Sequence, residues 1–142
     1  MKILFLGPLF NELEENSLLN KSKSGLSGAA NTYQWNLIKG LDKVLEKPID
    51  IINVLPVGTY PNHYKDIYLK SKKWSHLPDT NDFEIGSINL PFLKQFERTI
   101  ICKKALNKWL ECNNDAGGII IYSTYLPFLQ AIKTIPTNIV IS

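Results

Sequence analysis

Four short apolar runs constrain this chain more than anything else in it. Ile3 to Leu6, Ile51 to Leu55, Ile119 to Tyr122 and Ile139 to Ile141 are nearly continuous rather than alternating. A strand with one wet face alternates apolar and polar residues; a strand covered on both faces need not. Helical spacing fills most of the intervals between the runs. Strands alternating with helices argue for an α/β fold with a mostly parallel sheet covered on both faces.

The elements follow from local signals. Met1 to Leu9 reads as a buried first strand, stopped by Gly7-Pro8. Residues 10 to 24 are polar and charged and read as a long loop. Ser27 is placed to cap a helix in which Tyr33, Leu37, Leu41 and Val44 form the apolar stripe, ending at Lys47-Pro48. Ile49 to Val57 is the second strand. Residues 58 to 82 read as a long irregular segment with a short helix around Lys65 to Lys72. Phe83 to Leu90 is a weaker third strand.

The longest helix runs from Pro91 to Cys112. Phe96, Ile100, Ile101, Ala105, Leu106, Trp109 and Leu110 make its apolar side, and Lys94, Arg98, Lys104 and Lys108 its wet side. Ile119 to Tyr122 is a fourth strand, Pro127 to Ile135 a helix stopped by Pro136, and Asn138 to Ser142 a fifth strand. The 142 residues are expected to form one domain. They stop on a bare apolar strand, so the chain is expected to be a fragment of a longer protein.

Composition removes several classes. An apolar share of 44% with 20% charged residues is that of a globular protein. No apolar run approaches the length of a membrane span. The brief run after Lys2 is too short for a signal peptide, so a cytoplasmic protein is expected. A net charge of +3 is too mild to point to nucleic acid. Residues 60 to 76 carry an excess of the same size, with Lys65, Lys70, Lys72 and Lys73 against Asp66. That segment is also aromatic. It reads as an acceptor-side lid with Tyr60, His63, Tyr64 and Tyr68, as a contact with an anionic membrane at its inner face, or as a solvated loop. Cys102 and Cys112 stand ten residues apart in one helix, about 15 Å along its axis, too far for a disulfide. Asp79 and Asp82 read as solvated, and no acidic pair has metal-ligand spacing, so neither a metal nor a cofactor is expected.

The small-residue stretch Ser24 to Ala30 precedes the first helix, at the carboxyl end of the first strand. A helix start with exposed N–H groups favours an anion, and Gly25 and Gly28 allow close approach. Two familiar phosphate loops do not fit. No GxxxxGK[ST] pattern occurs. Gly7 is not followed by GxGxxG, and Asp50 begins the second strand rather than ending it, against a dinucleotide fingerprint.

Taken with KILFLGPL, GLSGAANTYQWNLIKGL and IIIYSTYLPFLQAIK, this pattern resembles the N-terminal domain of a GT-B-fold glycosyltransferase, closest to retaining family 4. The resemblance implies a Rossmann-like three-layer sandwich. It implies an acceptor-binding domain whose partner in cis, a C-terminal donor domain, lies beyond Ser142. The donor is then a nucleotide-sugar, a substrate rather than a cofactor, and the acceptor a glycan, lipid-linked or polymer molecule. Gly25, Ser27 and Gly28 would approach the donor diphosphate. Asn31 would face the cleft, with Tyr60, His63, Tyr122, Ser123 and Thr124 on the acceptor side. The catalytic base is left unassigned, because the fourth strand exits as Tyr122-Ser123-Thr124-Tyr125 where many relatives carry a His or Asp. Two rivals remain: a freestanding flavodoxin-like binding or regulatory domain, and another α/β enzyme using the same loop for a different phosphate.

Overall fold

The computed structural model describes residues 1–135 and 140–141. Among the described residues eight strands are formed: β1 (Lys2–Pro8), β2 (Asp50–Val54), β3 (Tyr68–Leu69), β4 (Lys72–Trp74), β5 (Asp82–Ile85), β6 (Ser87–Ile88), β7 (Ala116–Ile121) and β8 (Val140–Ile141). The helices are α1 (Glu15–Lys21), α2 (Gly28–Val44), α3 (Leu93–Cys112) and α4 (Leu126–Ile132). Six strands form one sheet in the order β4-β5-β2-β1-β7-β8, and β3 and β6 form a separate antiparallel pair. Among the described residues of the main sheet, β4 alone runs antiparallel.

The five parallel strands thus follow the order third, second, first, fourth, fifth. That order is compatible with a Rossmann-like fold and differs from the flavodoxin order, in which the first strand lies between the second and third. The direction of winding reverses at β1, so the sheet has a switch point between β1 and β7.

Successive residues of β1 enter two different cores. Leu4 and Leu6 join Ile52, Val54 and Ile85 against Cys102, Leu106 and Trp109 of α3 and Phe128 and Ala131 of α4. Phe5 joins Ile49 and Ile51 against Trp35 and Ile38 of α2. This division is why the runs are unbroken: each apolar side chain has a helix to meet. Each fully buried aliphatic or aromatic side chain contributes about 1.5–3 kcal/mol. A third cluster, Phe10, Leu18, Val57, Tyr64 and Leu69, fastens α1 to the segment after β2.

The structure corrects several expectations. Residues 10 to 24 are not a loop, since α1 lies there. The stretch from 58 to 82 holds β3 and β4 and no helix around Lys65 to Lys72. Phe83 to Leu90 is split into β5 and β6, which pair with different partners. The supposed stripe of α2 is largely wet, with Tyr33 62% and Val44 78% exposed. The buried residues of α2 are Asn31, Gln34, Trp35 and Ile38. The polar ones face inward because the backbone leaving β1 needs partners. Asn31 Oδ1 accepts from Phe10 N–H, Gln34 Nε2 donates to Pro8 O, and Trp35 Nε1 donates to Phe10 O. Of the expected fifth strand and helix stop, Pro136, Asn138, Ile139 and Ser142 lie outside the described residues.

Asp82 is not solvated but buried, accepting from Ile51 N–H and from the backbone and Nδ1 of His76. Asp79 is exposed as expected. The other His76 nitrogen meets Asp42 of α2 at 3.1 Å. Burial pulls the His76 pKa down, but its bonds and charge pairing with Asp82 and Asp42 outweigh that and raise it above the ordinary value. Both cysteines are free, and burial pushes the Cys102 thiol up to about 12.

Candidate functional site

In an open parallel sheet, ligands bind outside the carboxyl ends of the strands. A cavity of about 380 Å³ opens there, beside the ends of β1 and β2. Its apolar wall is Pro8 and the run Val54 to Val57, which Pro56 stiffens as it leaves the sheet. Its polar wall comes from His63, from Lys94, Gln95 and Arg98 on the first turns of α3, and from Tyr125 at the start of α4. Gly58 is obligatory beside it, because a Cβ there would stand 2.2 Å from His63 Cβ.

Two cations dominate this cavity, and both are buried. Lys94 is 7% exposed and Arg98 2%. No ion pair among the described residues involves either. Their partners are neutral. Lys94 Nζ donates to Val57 O; Arg98 Nη1 donates to Tyr125 Oη at 3.0 Å and Nη2 to Leu55 O at 3.1 Å. Arg98 Nε is buried with no hydrogen-bond partner among the described residues. A guanidinium offers five N–H donors and an ammonium three, so most of this capacity is unspent. Burial, reinforced by repulsion from Arg98, brings the Lys94 pKa down to about 7.

Sequence reasoning missed these residues by choosing the wrong face of α3. Phe96, assigned to the core, is 66% exposed, while Lys94 and Arg98, assigned to water, are buried. A signal was present. Cys102, Leu106 and Trp109 are buried, and steps of four back from Cys102 land on Arg98 and Lys94.

The structure disperses the expected site residues. Only His63 lines the cavity. Gly25, Ser27 and Gly28 sit at the start of α2; Gly25 takes φ +78°, a left-handed conformation suited to glycine, and the Ser27 side chain makes no capping bond. Tyr122, Ser123 and Thr124 follow β7 at the switch point. The Tyr122 ring packs 5.8 Å from Tyr33 and 6.4 Å from Phe5, centroid to centroid, and its N–H donates to Leu6 O. Asn31 does not face a cleft: it is buried, with Oδ1 on Phe10 N–H.

The glycine-rich segment and the basic aromatic segment, distant in sequence, are brought together. Lys23 N–H donates to His63 O at 2.8 Å, Lys65 N–H to Lys21 O at 3.0 Å, and Lys23 Nζ to Pro61 O at 2.7 Å. Tyr60 is half-buried and donates its N–H to Asn89 O. Tyr64 is no lid residue: it lies in the third core, where burial, with the nearby carboxylates, pushes its hydroxyl up to about 12. Of the four lysines, Lys72 is engaged by Glu14 and Glu84, and Lys65 Nζ donates to Asn20 O. A second recess, about 290 Å³, is lined by Lys21, Lys70 and Lys72 and by Glu14, Asp66 and Glu84, whose charges offset one another.

Among the described residues, no group of three or more His, Cys, Asp or Glu is arranged to hold a metal ion, and no helix is long and apolar enough to cross a membrane. Comparison of the chain with protein-family models, curated proteins and solved structures gives no match.

Proposed function

We propose that this chain is the acceptor-side Rossmann-like domain of a GT-B-type glycosyltransferase that moves a sugar from a nucleotide-sugar to a glycan or lipid-linked acceptor. One observation carries the reading. The reversed strand order around β1 lies at one edge with both the glycine start of α2 and a cavity of about 380 Å³. Such a volume suits a small ligand of sugar size. The division of the core between α2 on one side and α3 with α4 on the other supports the three-layer arrangement.

Sugar transfer needs a departing diphosphate to be stabilised as its charge develops. In this reading the first N–H groups of α2 and the Ser27 hydroxyl reach toward that diphosphate, which a second domain in cis would hold. The cavity beside β1 and β2 receives the acceptor. No metal is needed for this division of labour, and the work is done at the inner face of the membrane or in the cytoplasm.

Gly28→Val tests it. A Cβ at Gly28 meets nothing nearer than Glu15 Oε1 at 3.7 Å, so a side chain can leave the backbone there without a clash at Cβ, and circular dichroism of the variant checks its fold. In the full-length gene product, release of nucleoside diphosphate from a panel of nucleotide-sugars is expected to fall about a hundredfold with this variant. Release equal to wild type, or none from either protein, refutes the reading.

A further inference from the structure

Lys94 and Arg98 are the two basic residues of α3 that the fold buries, and both border the same cavity. A buried cation normally has a carboxylate partner, because desolvation is otherwise uncompensated. Here the hydrogen-bond partners are carbonyls and a phenol, the other cation repels, and the Glu84 carboxylate acts on Arg98 without forming an ion pair. The lost hydration is only partly replaced, and Arg98 Nε is not satisfied at all. Arg and Lys one turn apart present a fork and a point charge to the same space. A tetrahedral oxyanion matches both: two oxygens for guanidinium N–H groups and a third for the ammonium. Tyr125 Oη, already accepting from Arg98, has its own proton to donate, and His63 also lines the cavity. The remaining wall, Pro8 and Val54 to Val57, offers no charge, so it suits the body that carries the anion.

We infer that this cavity binds the phosphate group of a small phosphorylated ligand, with Arg98 and Lys94 as its ligands and Tyr125 and His63 at its edge. The inference rests on the acceptor role proposed for this cavity only in calling that ligand the acceptor. The phosphate itself belongs either to a free sugar-sized molecule or to a lipid headgroup.

The test uses the whole chain and inorganic phosphate, titrated calorimetrically against a chloride control of equal ionic strength. Wild type is expected to bind phosphate, and Lys94→Met to weaken binding about tenfold or more. Arg98→Lys keeps the charge but loses the fork, and is expected to weaken it similarly. Lys39→Met, at an exposed position on α2, is expected to change nothing. Circular dichroism checks folding; should Arg98→Lys unfold, Lys94→Met decides.

Phosphatidylcholine vesicles with and without phosphatidic acid separate the sources. Binding that requires phosphatidic acid and is lost in Lys94→Met places the phosphate on a lipid. Phosphate binding without vesicle binding places it on a soluble molecule. Absence of phosphate binding to wild type at about 10 mM, or equal binding by wild type and Lys94→Met, overturns the inference. Sugar transfer without phosphate binding sinks this inference alone. Phosphate binding without sugar transfer sinks the glycosyltransferase reading alone.

Discussion

The two ends of the sheet treat buried positive charge in opposite ways. At the amino end, Lys2 Nζ lies 3.1 Å from Asp50, whose side chain is wholly buried. Asp50 also accepts from Trp109 Nε1 at 2.8 Å and from Asn81 N–H at 2.9 Å. One carboxylate thereby ties β1, β2, α3 and the turn before β5. At the carboxyl end, Lys94 and Arg98 are as deeply buried and no carboxylate pairs with them among the described residues. The same α3 serves both ends. A compensated charge is a fastening; an uncompensated one lowers stability and is retained where a ligand completes it.

The largest expected effect is at the fastened end. Asp50→Ala strands Lys2, Trp109 Nε1 and Asn81 N–H without an acceptor, and is expected to cost about 3–5 kcal/mol in urea unfolding. A loss below about 1 kcal/mol would remove the contrast.

His76 offers an intermediate case, a cation when protonated, clasped by Asp82 and Asp42. Its native pKa is raised, so its contribution is complete below the unfolded value of about 6.5 and fades as pH rises through the native value. His76→Gln is therefore expected to cost about 1.5–3 kcal/mol at pH 5.5 and less at pH 9, read from paired denaturation curves. An equal cost at both pH values would show that charge plays no part there.

Lys94→Met sharpens the comparison from the other side. It removes a poorly compensated charge but leaves Val57 O without its donor, so stability is expected to change by no more than about 1 kcal/mol near pH 7. The sign with pH is distinctive. The Lys94 pKa is depressed to about 7 from 10.5, by burial and by Arg98 on the same helix. The unfolded chain binds the extra proton between those values, so wild type is expected to gain stability relative to Lys94→Met as pH rises from about 7 to 10.5. The other ionisable side chains lining the cavity, His63, Arg98 and Tyr125, are present in both proteins, so the difference curve reads the loss of the lysine. A flat difference curve would mean that Lys94 is solvated.

The smallest effect is expected at Phe96. Its apolarity places this residue in the core by sequence, but it is 66% exposed. Phe96→Ser is expected to change stability by about 0.5 kcal/mol or less. A loss of several kcal/mol would restore the face of α3 that the apolar pattern suggested.

Those faces mark where the sequence could be read and where it could not. The strands of the sheet centre were legible because Ile3 to Leu6 and Ile119 to Tyr122 are apolar on both sides, and only coverage on both sides makes such a run stable. The existence of α2 and α3 was legible from their length and period. Their orientation was not. Asn31, Gln34, Lys94 and Arg98 are buried to hold backbone carbonyls and amides at residues 8 to 10 and 55 to 57, and a hydropathy stripe has no means of registering such bonds. Of the expected site, His63 reached the cavity. Its basic neighbours lie in a helix whose polar residues read, by sequence alone, as a wet face.

By itself the sequence determined that this protein builds a mostly parallel sheet with helices between the strands, because runs of buried β-branched residues have few other stable arrangements. Only the tertiary structure decided the order β4-β5-β2-β1-β7-β8, and with it which strand ends border a cavity. It alone decided that Lys94 and Arg98 lie inside. The physical reason is that pairing order and helix rotation are set by long-range contacts and by hydrogen bonds to particular carbonyls, and neither leaves a period in the sequence.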